Sequence, residues 1–317
     1  MREKLKIAFF LGGGCGGCDM AAMDAVQAIL DLQRLEIAFW SPIVTDNKYE
    51  DLDAIPDGAI DVGFYSGMIR LSDQELAAKT MRRKCRTLIA YGTCAALGGV
   101  PGLGNFHTRK EILHTVYFDT CSTENPAGIT PQTECLEGEC ELTLPEFYGE
   151  VRPLKAVVEV DHFLGGCPPH HSFVVQIIYN ILEKGLEPPD PWITEGKTVC
   201  EACARNPVAK GEQRKPVGAV KRLTDGVPDG DRCLLEQGYL CLGSLTQGSC
   251  GALCPRVNVP CAGCGGPIPG VKDFGLRAVS AVASLLENEE LVAQIPGPAK
   301  LFYRYTLPAS LFGKKVK

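Results

Sequence analysis

The chain has 317 residues, 45% hydrophobic and 22% charged, with 16 cysteines and a formal net charge of −6. This is a globular composition, long enough for one large core and a smaller unit. The negative balance argues against general nucleic-acid binding, and no apolar run reaches the length of a membrane span.

The N-terminus, MREKLKIAFFLGGGCGGC, superficially resembles a secretory leader. Its apolar stretch KIAFFL is too short, no small-residue cleavage pattern follows, and no twin-arginine pair precedes it. It reads as the first strand of a cytoplasmic protein. Thiols stay reduced in that compartment, so clustered cysteines there bind metal more often than they pair.

Further along, the pattern alternates between strand and helix. Strands are expected at Lys6–Leu11, Glu36–Trp40, Ile60–Tyr65, Arg86–Tyr91 and Ala156–Val160, with helices at Met20–Gln33, Ser72–Arg83 and Ser172–Lys184. Short apolar strands separated by helices imply an α/β domain, a parallel sheet covered on both faces. The pattern resembles a flavodoxin-like fold over residues 1–190, with strand order left open. An insertion from Gly98 to Pro153, punctuated by Pro and Gly, reads as loop-rich with a short helix near Arg109–Tyr117. Its length suits a docking surface or a cap. The character changes after Glu187-Pro188-Pro189. Residues 191–270 carry few periodic apolar patterns and many Cys, Gly and Pro, so this small irregular domain depends on metal sites to hold it. Residues 271–317 recover structure, with an amphipathic helix expected at Phe274–Glu287.

Twelve of the cysteines fall into three sets of four. Cys15, Cys18, Cys94 and Cys167 lie beyond the C-terminal ends of predicted parallel strands, where open α/β sheets place ligands. Glycines surround them in GGGCGGC, YGTCAALGG and FLGGC, exposing amide N–H groups to sulfur. The other sets are Cys200, Cys203, Cys233 and Cys241, then Cys250, Cys254, Cys261 and Cys264. C-x-x-C pairs occur at 15/18, 200/203 and 261/264. Four thiolates satisfy an iron–sulfur cubane. Structural zinc also accepts four, but it favours two C-x-x-C pairs in a compact knuckle, and one pair with two lone cysteines is atypical. Spacing alone does not divide Cys241 and Cys250 between neighbouring sites, and a cluster plus a zinc ion is the alternative to two cubanes.

The remaining candidates have plainer readings. Cys85 suits a small buried residue, and Cys121, Cys135 and Cys140 suit ordinary structural cysteines, though Cys135 and Cys140 in an acidic loop could bind metal or form a redox pair. His107, His114, His162, His170 and His171 match no metal-ligand motif. The Gly-rich loop at 12–17 lacks the GK[ST] of a phosphate loop. The basic run Lys210–Arg222 reads as a solvated loop, with steering of an acidic partner as the functional alternative.

Together these motifs resemble the small subunit of [NiFe] hydrogenases over most of the chain. C-x-x-C at Cys15/Cys18, GTC at Cys94 and GCPP at Cys167–Pro169 resemble the family's proximal cluster motif. Cys200, Cys203, Cys233 and Cys241 resemble its distal set, and Cys250, Cys254, Cys261 and Cys264, ending in CAGCGGP, its medial set. The resemblance implies three [4Fe–4S] clusters and no catalytic residue on this chain. The Ni–Fe centre would lie on a large subunit. Cys200 stands where membrane-bound relatives have histidine, Cys254 can supply a fourth medial ligand, and Gly14 replaces a glutamate. The insertion is most similar to the cytoplasmic methyl-viologen-reducing type. That resemblance implies electron flow to a [2Fe–2S] subunit and heterodisulfide reductase, with deazaflavin- and NAD(P)-linked hydrogenases as close relatives. Single-cluster complex I subunits share the N-terminal fold but use adjacent cysteines, which this chain lacks.

Overall fold

The computed structural model describes residues 4–25, 33–40, 46–185 and 191–314. Among the described residues nine strands occur in chain order: β1 (Leu5–Leu11), β2 (Leu35–Trp40), β3 (Ile60–Ser66), β4 (Ile69–Leu71), β5 (Cys85–Tyr91), β6 (Glu134–Glu137), β7 (Cys140–Thr143), β8 (Phe147–Arg152) and β9 (His162–Leu164). Five of them form one parallel sheet in the order β2-β1-β3-β5-β9. Counting only its own members, that is the 2-1-3-4-5 order of flavodoxin-like folds. β4 pairs antiparallel with β8, and β6 with β7.

Strand alternation puts apolar residues on both faces, as a doubly covered sheet requires. On one face Ile7, Phe9, Val62, Phe64, Ile89 and Tyr91 pack with helix α6 (His171–Lys184). That helix contributes Phe173, Val174, Ile177, Ile178 and Ile181, a helical repeat, and each fully buried side chain of this kind stabilises by about 1.5–3 kcal/mol. On the other face Ala8, Tyr65, Leu88 and Ala90 meet Ala78 and Met81 of α3 (Ser72–Lys84) and Leu97 of α4 (Thr93–Leu97). The remaining sheet-domain helices are α1 (Gly17–Asp24), α2 (Tyr49–Ala54) and α5 (Arg109–His114).

The fifth parallel strand is not at Ala156–Val160. It is β9, which pairs Ile89 with His162 and Tyr91 with Leu164. Residues Leu154–Ala156 form a 3-10 turn, and Arg82 clamps the segment after it. Its guanidinium donates to the Asp161 carboxylate at 2.6 Å, and to the carbonyls of Cys85, Arg86 and Glu159. Asp161 also accepts the Leu88 N–H at 2.7 Å, so a side chain stands in for a ladder bond. Val157, Val158 and Val160 still pack on the core, which is why the segment reads as a strand.

Smaller differences have equally local causes. The helix expected at Met20–Gln33 begins earlier, at Gly17, and residues 26–32 lie outside the described residues. The change of character at 187–189 also lies outside them. The insertion is more regular than expected. It holds a 3-10 helix at Val100–Phe106, α5 under a Thr108/Glu111 capping box, a π turn at Thr115–Asp119 and the exposed β6–β7 hairpin.

Beyond residue 190 the described chain holds no named strand. Its helices are α7 (Leu253–Arg256), α8 (Phe274–Ala283), α9 (Glu289–Ala293) and α10 (Pro298–Phe302). Leu242 and Leu245 pack with Phe274, Ala278, Val282, Phe302 and Tyr303 in a third core. Helix α8 stops short of Glu287 because Val217 takes over the next backbone groups. The Val217 N–H donates to the Leu285 carbonyl, and the Glu287 N–H to the Val217 carbonyl.

Asp161→Ala strands the Leu88 N–H and removes the carboxylate partner of Arg82, which keeps the carbonyls of Cys85, Arg86 and Glu159. It is expected to cost about 2–3 kcal/mol, seen as a lowered thermal midpoint by circular dichroism. An unchanged midpoint would show that the clamp contributes nothing to stability.

Candidate metal centres

The first set of cysteines assembles at the C-terminal edge of the parallel sheet. Cys15 ends the glycine loop after β1, Cys18 lies in the first turn of α1, Cys94 in α4, and Cys167 three residues beyond β9. All four line one small cavity, with Gly14, Gly16, Gly17, Gly166, Ser66 and Thr93. No charged side chain lines it. Burial pushes the Cys18 thiol well above its ordinary value, and the Cys94, Cys167 and Cys15 sulfurs and Asp19 push it further. Cys94 is raised to about 12, again by burial and then by Cys167 and Cys15. Four such sulfurs cannot all ionise side by side without a compensating cation.

Gly92 shows how tightly this cradle is built. It adopts φ 84°, and a Cβ there would lie 2.3 Å from the Cys18 sulfur. A side chain at this position would fill the space beside the thiols.

The second set also meets in one place. Cys200, Cys203, Cys233 and Cys241 line one small cavity, together with Arg205 and Arg214. In the third set, burial and then Cys250 and Cys254 raise Cys264 to about 12, and burial raises Cys261, with Cys241 adding more than Cys264. The structure places Cys241 in the cavity of the second set. Among the described residues no three His, Cys, Asp or Glu side chains are set to hold a single metal ion. The first two sets ring cavities instead.

The three sets touch in an order that differs from their order in the chain. The loops that carry Cys167 and Cys264 meet at the Gly165 and Gly265 backbones, joining the first set to the third. The Cys261 N–H donates to the Cys241 sulfur at 3.3 Å, joining the third to the second. Thr93, fully buried, braces the first of these junctions. Its hydroxyl accepts the Gly166 N–H at 2.9 Å and donates to the Cys264 carbonyl. A Cβ on Gly165 would sit 2.0 Å from the Gly265 carbonyl oxygen, so only glycine lets these two loops meet.

Other candidates stay apart. Cys85 is buried in the core, where burial raises its thiol to about 12. Cys121, Cys135 and Cys140 are exposed, the latter two on the β6–β7 hairpin. None of the five histidines lines either four-cysteine cavity. His114 pairs with Asp119 and His170 with the Ser172 hydroxyl, both surface contacts. Sequence reasoning missed Thr93 and Arg214. Thr93 stands in the quoted GTC motif, but its hydroxyl partners lie 73 and 171 residues away. Arg214 belongs to the basic run read as solvated, yet its guanidinium donates to the Cys200 sulfur at 3.3 Å and the Cys233 sulfur at 3.8 Å.

The donor sets therefore fit iron–sulfur clusters. The first two are all-thiol groups of four set in cavities, the first with close glycine backbone. The first cavity offers no carboxylate or imidazole in competition.

Comparison with known proteins agrees. The profile of the family described as "NADH ubiquinone oxidoreductase, 20 Kd subunit" matches residues 15–181. The chain is 51% identical to the iron-sulfur G subunit of the F420-non-reducing hydrogenase of Archaeoglobus profundus, over 98% of this chain and 99% of the relative. It is 39% identical to the G subunit of the vhu F420-non-reducing hydrogenase of Methanocaldococcus jannaschii, over 96% of this chain and 95% of the relative.

The chain belongs to this family of hydrogenase G subunits.

It is thus a small, electron-transfer subunit of the [NiFe] hydrogenase family, a component of an oxidoreductase complex. The recombinant [NiFeSe] hydrogenase of Desulfovibrio vulgaris Hildenborough shares the fold, with a TM-score of 0.53 at 18% identity, over 84% of this chain and 95% of that one. The profile match covers the sheet domain and stops before the second and third cysteine sets of this hydrogenase small subunit. Among the described residues no helix is long and apolar enough to cross a membrane.

Gly92→Ala forces a Cβ into the Cys18 sulfur and strains a left-handed backbone. The variant complex is expected to lose about four iron per chain, the content of one cubane. Full iron content by elemental analysis would refute the tight cradle.

Proposed function

We propose that this hydrogenase small subunit carries electrons from hydrogen, oxidised on a partner large subunit, through three [4Fe–4S] clusters of a cytoplasmic complex. Cys15, Cys18, Cys94 and Cys167 hold the proximal cluster. Cys250, Cys254, Cys261 and Cys264 hold the medial one, and Cys200, Cys203, Cys233 and Cys241 the distal one. Residues 1–190 form the flavodoxin-like domain that positions the first, residues 191–270 the Cys-rich domain that holds the others, and residues 271–317 a helical extension. The onward acceptors are a [2Fe–2S] subunit and then heterodisulfide reductase. This last step rests on kinship with the F420-non-reducing type.

The observation that carries the reading is the pair of contacts between sets, the Thr93 hydroxyl on the Cys264 carbonyl and the Cys261 N–H on the Cys241 sulfur. They string the sets in the order first, third, second. When bound, each cluster supplies one-electron redox chemistry. The protein's own contribution is placement. The thiols bind, the glycines let backbone amides approach sulfur, and Thr93 fixes the spacing between the first and third sets. Gly14 carries no side chain, so the chain offers no carboxyl group at that position for proton transfer.

Iron and sulfide analysis of the native complex should give about 12 iron for this chain after subtraction of its partners. Stoichiometric zinc without sulfide would sink the reading in favour of a zinc-held module. Acceptor assays with a deazaflavin or NAD(P) in place of the heterodisulfide reductase route distinguish the related hydrogenase types.

Cys94→Ser should abolish hydrogen-driven reduction of the physiological acceptor. Cys85→Ser, outside the three sets, should keep it and lose only about 1–2 kcal/mol of stability. Wild-type turnover in the Cys94 variant would contradict the assignment.

A further inference from the structure

We propose that Arg214 raises the reduction potential of the site of Cys200, Cys203, Cys233 and Cys241, so that electrons are drawn there before leaving the chain. The proposal rests on the cluster reading above.

It starts from a contrast between two cavities. The cavity of the first set has no charged side chain in its lining. The cavity of the second has two guanidinium groups and no carboxylate. Arg205, buried, is committed to structure: it donates to the Asp229 carbonyl at 2.6 Å and to the Asn258 side chain. Arg214 instead directs two N–H groups at sulfur, on Cys200 and Cys233. The acidic side chain that acts on it is Glu236, which also accepts the Lys215 backbone N–H at 3.0 Å. At the other end of the series, the acidic neighbour is Asp19. It lies buried beside Cys18 and accepts from the Trp40 indole at 3.0 Å and the Ser66 hydroxyl at 3.3 Å.

Reduction of a four-thiolate cluster adds one negative charge. A cation held in contact with two of its thiolates stabilises the reduced form more than the oxidised form. Hydrogen bonds to those sulfurs act in the same direction, by drawing electron density from iron. The step is a one-electron transfer. The site of Cys250, Cys254, Cys261 and Cys264 is oxidised by one electron and the Arg214 site is reduced by one. No bond is made or broken and no proton is required, and the electron originates in hydrogen oxidation on the partner subunit. The basic loop thus acts inward on potential through Arg214, while its neighbour Lys215 stays exposed.

The test is an EPR-monitored redox titration of the purified complex carrying R214Q, R214K or, as an exposed-charge control, K215Q. In R214Q one midpoint should move to a more negative potential while the other signals stay in place and iron content is unchanged. R214K should retain most of the wild-type midpoint, and K215Q all of it. Unchanged midpoints in R214Q at full iron content would overturn the role of Arg214 alone. Loss of iron in both Arg214 variants would also overturn it, by making the guanidinium a structural prop. If Cys233→Ser removes neither iron nor an EPR signal, the cluster reading itself fails, and this proposal with it.

Discussion

The Thr93 hydroxyl stands at the point where the two halves of the chain become one electrical object. It is shut away from water, so both its hydrogen bonds must be made inside the protein, and an unpaired group there would cost the full desolvation penalty. One bond holds the loop that presents Cys167, and the other holds the loop that presents Cys264. Around it, the Gly165 and Gly265 backbones meet closely enough that a methyl group on the first would collide. Electron transfer falls off steeply with distance. A junction built from glycine backbone and one small side chain lets the loops that carry the first and third sulfur sets meet directly.

Much of this architecture is legible in the sequence, for identifiable reasons. Ile7 and Phe9 alternate with Ala8, and Ile89 and Tyr91 with Leu88 and Ala90, so strands buried on both faces announce themselves as short apolar runs. The C-x-x-C pairs are local, and the lone Cys94 and Cys167 follow strands, so their convergence at one sheet edge follows from topology. The fifth strand is misplaced by such a reading because Val157, Val158 and Val160 pack on the core like strand residues. What decides their conformation is the Arg82–Asp161 clamp, whose partners lie 79 residues apart.

The rest is hidden for a common reason. Arg214 looks like one more charge in a basic loop, and only the folded chain shows its guanidinium against two sulfurs. The division of Cys241 and Cys250 between sites is likewise three-dimensional. Spacing permits either grouping, whereas the cavity around Arg214 brings Cys241 together with Cys200, Cys203 and Cys233. Nor does composition alone reveal that the sparse Cys-rich segment shares a core with the C-terminal helices, through Leu242 and Leu245.

The mismatch between chain order and contact order bears on how the subunit is made. The sulfur set in the middle of the series is the last to be synthesised, because Cys261 and Cys264 follow both other sets in the chain. The second set cannot finish folding before the segment from Cys261 onward emerges, because Leu242 and Leu245 beside Cys241 pack on Phe274, Ala278 and Val282, and the Cys241 sulfur accepts the Cys261 N–H. The two later sets are therefore completed together, and the junction at Thr93 closes only once Cys264 is in place.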